Sequence, residues 1–338
     1  MSKSRILILR FSSFGDVTQC LSVASALKTQ FTNSEIHWAT RQDMVPLLSG
    51  HPHISRIWPL DKKQGLKGLL LLAFKLRNEK YSHVYDAHNN LRTFIITFII
   101  RFFRSVKFLR RPMKRWKRFL LFRLRINKFK MPFSGQRDLL EPLAAWGIPP
   151  TLPLVPQIFT NEIAVEKAES LVAQFKNNYI ALAPSAAFFL KRWPQEYWVK
   201  LISLFPDQNF VLLGGPEDRF LEDIARTNPR RILNLSGKSD LSTSITLVKN
   251  SKLLVSNDTG LLHVAEQLGK NCIALMGPAP FGFPSRPLTK ILELNLNCRP
   301  CSKHGQGPCI NTNYHECLVG IKPEVVAEEL KRVLQCLP

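Results

Sequence analysis

A chain of 338 residues, 45% of them hydrophobic, is long enough for two packed domains and too long for one small core. Lys and Arg outnumber Asp and Glu by 47 to 25, and a net charge of +22 directs attention to acidic ligands, anionic lipid or nucleic acid rather than to any one fold. The first apolar run is broken by Arg10 and the longest uncharged one, 93–100, is far short of the ~20 residues of a membrane span, so no secretory leader or spanning helix is expected. The protein should be cytoplasmic, with its seven cysteines mostly reduced thiols.

In chain order, β-rich runs are expected at 5–10, 35–39, 83–86, 179–183, 209–213, 252–256 and 272–276. Helical patterns alternate with them at 17–30, 163–175, 195–205 and 261–268, and a last helix runs from Pro323 to about Gln335. Such alternation predicts an α/β fold, parallel sheets with helices on both faces. The pattern restarts near residue 178, after the proline-rich PPTLPLVP at 149–156, which reads as a linker. Two Rossmann-like domains, 1–155 and 156–338, would then face an inter-domain cleft, with ligands at the carboxyl ends of the strands. The last helix is expected to pack back across the domains.

Residues 87–137 depart from the rest. They hold no Asp or Glu but fifteen Lys and Arg, with Phe94, Phe98 and Phe102 at helical spacing and further Phe and Trp among the basic residues. Within the first domain, 91–137 therefore reads as a basic amphipathic insertion suited to an anionic membrane face. The bland alternative is a packed helix with a solvated charged face. Nucleic acid would use similar charges, but no helix-turn-helix, zinc-finger or RNP-type pattern accompanies them.

Three segments sit where strands should end. SSFGD places Asp16 at the mouth of a helix, where it can cap or accept a proton from an incoming hydroxyl. The small turn of Ser12, Ser13 and Gly15 lets backbone amides approach a phosphate, but it is not the G-x-G-x-x-G fingerprint of dinucleotide folds. APSAAFFLKRWPQEYW puts Lys191 in a loop, where it is either a solvated charge or a neutraliser of a leaving group. SNDTGLLHVAEQLG offers Asp258 or Thr259 as a helix cap, Gly260 for close backbone approach, and His263 one turn in, as a binding rather than proton-transfer residue. Finally, Cys298, Cys301, Cys309 and Cys317 follow a C-x₂-C-x₇-C-x₇-C spacing, open to a structural zinc or to packed reduced thiols.

Taken together, ILILRFSSFGDVTQCLSVASALK, DAHNNLRT, APSAAFFLKRWPQEYW, LLGGPEDR and SNDTGLLHVAEQLGKNCIALMGP resemble glycosyltransferase family 9, the lipopolysaccharide heptosyltransferases, in order over most of the chain. The resemblance implies the GT-B architecture and inverting transfer of heptose from ADP-heptose to the Kdo/heptose inner core of a lipid A-linked precursor, at the cytoplasmic face of the inner membrane. It makes Asp16 the general base and gives the diphosphate to Lys191 and the Thr259–Gly260 amides, with Ser185 as a hydroxyl contact where some members carry threonines. It gives the donor sugar to Asp258, with His263 nearby, and the nucleoside ribose to Asp218. His88, Asn90 and Arg92 would face the anionic glycolipid acceptor. No cofactor beyond the donor, no divalent metal and no nucleic-acid partner are implied. The competing readings are an ADP-heptose-dependent protein glycosyltransferase, and a basic membrane- or nucleic-acid-binding protein that kept the fold without turnover.

Overall fold

The computed structural model of the chain describes residues 4–337. They group into two compact units, one of residues 4–114 and 135–159, the other of 115–134 and 160–337. The first is built on five parallel strands, β1 (Arg5–Leu9), β2 (Glu35–Arg41), β3 (Arg56–Leu60), β4 (His83–Asp86) and β5 (Lys107–Arg110), in the order β3-β2-β1-β4-β5. Central β1 is buried at four of its five positions because RILIL must fill both faces. Helix α1 (Phe14–Gln30) follows β1, and α2 (Gly65–Asn78) packs against α3 (Leu91–Arg101). Leu69, Leu72, Ala73 and Leu76 of α2 join Ile96 and Ile100 of α3 in one core with Leu7, Leu9 and Val84 of the sheet.

The next helix, α4 (Arg115–Arg123), belongs to the second unit, whereas α5 (Gly135–Leu140) returns to the first and packs on α1. The basic stretch expected as a single insertion at 91–137 is therefore divided. The cause is local: Phe122 and Phe129 lie against Phe281, and Arg118 covers the same ring, so 115–134 finds its apolar partners in the second unit.

That unit carries six parallel strands, β6 (Ile180–Ala183), β7 (Phe210–Leu212), β8 (Ile232–Asn234), β9 (Leu254–Asn257), β10 (Cys272–Leu275) and β11 (Thr289–Leu292), in the order β11-β10-β9-β6-β7-β8. Helices α6 (Glu162–Leu171), α7 (Gln195–Ser203), α8 (Phe220–Arg226), α9 (Leu241–Asn250), α10 (Gly260–Leu268), α11 (Glu316–Val319) and α12 (Pro323–Gln335) surround it. The chief packing partners of α12 are α7 and β10 of its own unit. Trp193 and Trp198, edge to face at 5.0 Å, anchor the core beneath α7. No helix among the described residues is long and apolar enough to cross a membrane.

Candidate active site

In the first unit the strand order reverses between β1 and β4, and the carboxyl ends of strands at such a reversal are where an open α/β sheet binds its ligands. Chain leaving β1 passes Arg10 and enters α1 with Ser13 as its extended N-cap (φ −80°, ψ −178°). Asp16, three residues on, directs Oδ2 back. That one oxygen accepts the Ser13 N–H at 3.2 Å, the Ser13 hydroxyl at 2.7 Å and Arg10 Nη2 at 2.8 Å. The side chain is 43% exposed, and Oδ1 takes no hydrogen bond among the described residues. Capping thus occupies one oxygen of the carboxylate and leaves the other without a hydrogen bond among the described residues.

Arg10 is the residue that sequence reasoning passed over. It is 5% exposed, donates from Nη1 to Ala87 O at 2.6 Å, and leaves a buried Nε without a hydrogen bond. Its only sequence signal is a single charge closing an apolar strand. Burial pushes the Asp16 carboxyl up, but the Arg10 guanidinium, the Ser13 bonds and the field of Arg111 outweigh it and hold the group well below the usual carboxylate range. Asp16 is ionised at any working pH. Arg111 is fixed in turn by Asp138 of α5, through Nε at 2.6 Å.

At the end of β4, fully buried Asp86 organises the DAHNNLRT turn: Oδ1 accepts the His88 N–H at 3.1 Å and the Asn89 N–H at 2.8 Å, and Oδ2 accepts Arg110 Nε at 2.8 Å. His88 Nδ1 accepts the Phe11 N–H at 3.1 Å, so the ring carries its proton on Nε2 when neutral. Burial first, then Arg10, pushes its pKa down to about 4. Asn90 caps α3, its side-chain oxygen accepting the Thr93 N–H at 3.1 Å, while Arg92 is exposed with no hydrogen bond or ion pair among the described residues. Asp16 and Arg92 are both close enough to act on the His88 ring, the carboxylate raising and the guanidinium lowering its pKa; the Asn90 side chain is engaged in its cap.

In the second unit the reversal lies between β6 and β9. Asn257, buried completely, donates to Pro184 O at 2.6 Å and accepts the Trp193 N–H at 3.2 Å, tying the loops after both strands together. On that frame Lys191 Nζ meets Asp258 Oδ2 at 2.7 Å, with side-chain exposures of 16% and 6%. Two glycines shape the pair. A Cβ at Gly282 would stand 1.9 Å from Asp258 Oδ1, and one at Gly305 (φ +82°) 2.6 Å from Lys191 Cγ. Thr259 is the N-cap of α10 but makes no side-chain capping bond, so the first N–H groups of that helix remain for an anion. Ser185 is half-buried, with no hydroxyl partner among the described residues.

Asp258, expected to hold donor-sugar hydroxyls, is paired with Lys191. Asp218, expected at a nucleoside ribose, is 2% exposed and turned inward, its Oδ2 accepting the Gly215 N–H at 2.8 Å, whereas Glu217 beside it is exposed. His263 is buried against Glu266 Oε2 at 3.1 Å, and Glu266 Oε1 accepts the Ser285 and Arg286 N–H groups, so this pair braces the loop after β10. Ser12, Ser13 and Gly15 stand on the first unit with Asp16, and the Ser13 hydroxyl is engaged by that carboxylate. Cys298, Cys301, Cys309 and Cys317 are free thiols lining one small void, with the Cys317 thiol pushed up to about 12, chiefly by burial. As the side chains stand, no group of three or more His, Cys, Asp or Glu among the described residues is placed to hold a metal ion.

Residues 70–315 match a family model described as glycosyltransferase family 9 (heptosyltransferase). The chain is 29% identical to lipooligosaccharide heptosyltransferase 2 of Haemophilus ducreyi, over 98% of this chain and 100% of that protein. Among solved structures it is similar to a family 9 glycosyl transferase from Veillonella parvula (TM-score 0.80, 20% identity, 99% of both chains). It is also similar to the ADP-heptose LPS heptosyltransferase II of E. coli (TM-score 0.74, 21% identity, 98% of both chains). These likenesses are of fold, and the fold they share is the two-domain GT-B class.

Proposed function

The chain belongs to glycosyltransferase family 9, and we propose that it moves a heptose from ADP-heptose to the Kdo/heptose inner core of a lipid A-linked lipopolysaccharide precursor, with inversion at the anomeric carbon. It is a glycosyltransferase; the proposal concerns its substrates and mechanism. Full-length similarity to a lipooligosaccharide heptosyltransferase 2 supports the substrate class. The observation that carries the mechanism is the division of labour in Asp16: one oxygen is bound by three donors, and the other has no hydrogen bond among the described residues, on a side chain 43% exposed.

In this reading Oδ1 takes the proton of the acceptor hydroxyl as that oxygen forms its bond to the anomeric carbon, on the face opposite the diphosphate. The bond from that carbon to the diphosphate breaks, and ADP leaves with the electron pair. Because Arg10 holds the carboxyl low, Asp16 is always charged but weakly basic, which suits a proton that leaves only as the hydroxyl becomes acidic in the transition state. Lys191 has three N–H donors; one serves Asp258, leaving others for the diphosphate together with the Gly260 end of α10. Ser185 adds a hydroxyl contact. Glu217, being exposed, replaces Asp218 as the acidic contact to the ribose. The neutral His88 donates from Nε2 to an acceptor hydroxyl, and the unpartnered Arg92 meets an acidic group of the acceptor. The acceptor's lipid places the work at the cytoplasmic face of the inner membrane.

Incubation of the protein with ADP-heptose and a truncated Kdo–lipid A acceptor, read by mass spectrometry, tests the reading. It predicts an acceptor heavier by one heptose and an equal amount of ADP. Hydrolysis of the donor without a heavier acceptor, or no consumption of ADP-heptose, overturns it.

A further inference from the structure

We infer that the outward face of α2 and α3 in the first unit docks on an anionic lipid bilayer and brings the acceptor-side loop to it. This deepens the functional reading by naming the surface that meets the acceptor's membrane. The inner faces of the two helices fill the sheet core, yet Leu66, Leu71 and Phe74 of α2 and Leu91, Phe94 and Phe98 of α3 are each more than half exposed. On α3 these residues recur at spacings of three and four, a single stripe along the helix. Helix–helix contact between α2 and α3 sets the two outward faces side by side, and Phe102, just beyond α3, extends the stripe under Arg77 at the end of α2. A contiguous apolar patch of this kind marks an interaction surface rather than scattered exposure.

Charge selects the occupant. Lys67, Lys75, Arg92 and Arg101 are exposed along the same helices, and Arg110 backs the Phe94 ring at 5.3 Å. Between Lys62 and Lys114 the only carboxylates are Glu79 and Asp86. Glu79 is taken by Arg5 and Arg56, and Asp86 is buried with Arg110. Apolar rings rimmed by cations, with no free acid among them, match the headgroup boundary of an anionic leaflet. The stripe also starts inside the candidate site, because Leu91 stands between Asn90 and Arg92 and is 75% exposed. A substrate anchored in the bilayer would therefore present its polar end to the loop that carries His88 and Arg92.

The test is flotation of the full chain with phosphatidylcholine vesicles containing phosphatidylglycerol, or none, beside the Phe94→Glu/Phe98→Glu double variant. Wild type is expected to float with the anionic vesicles and not with the neutral ones. The double variant should lose roughly tenfold or more of that partition while its circular dichroism and its transfer to a short soluble acceptor stay unchanged. Equal flotation of variant and wild type overturns the proposal, as does wild type that stays unbound. Preferential capture by oligonucleotide, insensitive to the phenylalanine changes, reassigns the charge to nucleic acid and overturns it too. Because flotation needs no turnover, it separates this inference from the transfer reaction.

Discussion

Asp16 and Arg10 act as one unit, and pH exposes the coupling. With the carboxyl held below its ordinary 3.8, kcat/KM should run flat from about pH 8 down to about pH 5 as far as Asp16 is concerned. Arg10→Gln removes the largest lowering influence and leaves burial to act upward, so an acid limb should climb into the measurable range, whereas Arg10→Lys should keep it low. An unchanged profile in Arg10→Gln would contradict the coupling. Stability follows the same sign: the Asp16 contribution is present above the unfolded carboxyl value and lost as pH falls through the lower folded one. Two histidines act earlier. His88 and His51 are both pushed to about 4 from 6.5, chiefly by burial, so below about pH 6.5 the unfolded chain takes up protons that the folded one refuses. Urea midpoints should therefore fall between about pH 6.5 and about pH 4, and less so in His51→Gln at the pH-dependent level. Asp16 could be read from SSFGD. Its anchor could not, because Arg10 lies in a strand whose pattern says only that its neighbours are buried.

Among the elements, the seven interior strands are legible as apolar runs, and the four that escaped notice, β3, β5, β8 and β11, are the edge strands of the two sheets. An edge strand has a solvated side and reads as mixed sequence: β3 holds Arg56 and Pro59, β5 is KFLR, β8 is ILN and β11 is TKIL. The loop frames were equally hidden. Asn257 reads as an ordinary turn residue, yet its amide joins the ends of β6 and β9. Asn257→Ala leaves the buried Trp193 N–H without its acceptor and should lower the stability of the second unit by about 1–3 kcal/mol, measured by chemical denaturation. A loss within error would remove Asn257 from the frame. Lys191→Ala strands Asp258 at 6% exposure, so that variant should lose thermal stability as well as donor affinity.

At the scale of the whole chain, the restart of βα alternation near residue 178 and the order of the motifs suffice for the fold class, because each βαβ crossover leaves its own periodic trace. Charge density alone could not show which surface it serves. The stretch without acids is divided between the two units, and the apolar stripe recruits α2, which lies outside that stretch. Nucleotide choice also belongs to this scale. Binding to the folded chain alone raises its melting temperature with ligand concentration, so ADP should stabilise the protein more than UDP or GDP, and Lys191→Ala should abolish most of the shift. Equal shifts with all three would detach the donor assignment from the second unit.

Turnover of Asp16→Asn, with ADP-heptose binding measured on the same preparation, tests the central claim most directly. The exchange keeps size and one accepting oxygen, so donor affinity and melting behaviour should stay close to wild type while transfer falls by about 10²–10⁴-fold. Transfer within a few-fold of wild type, at undiminished donor binding, would contradict the assignment of Asp16 as the proton acceptor.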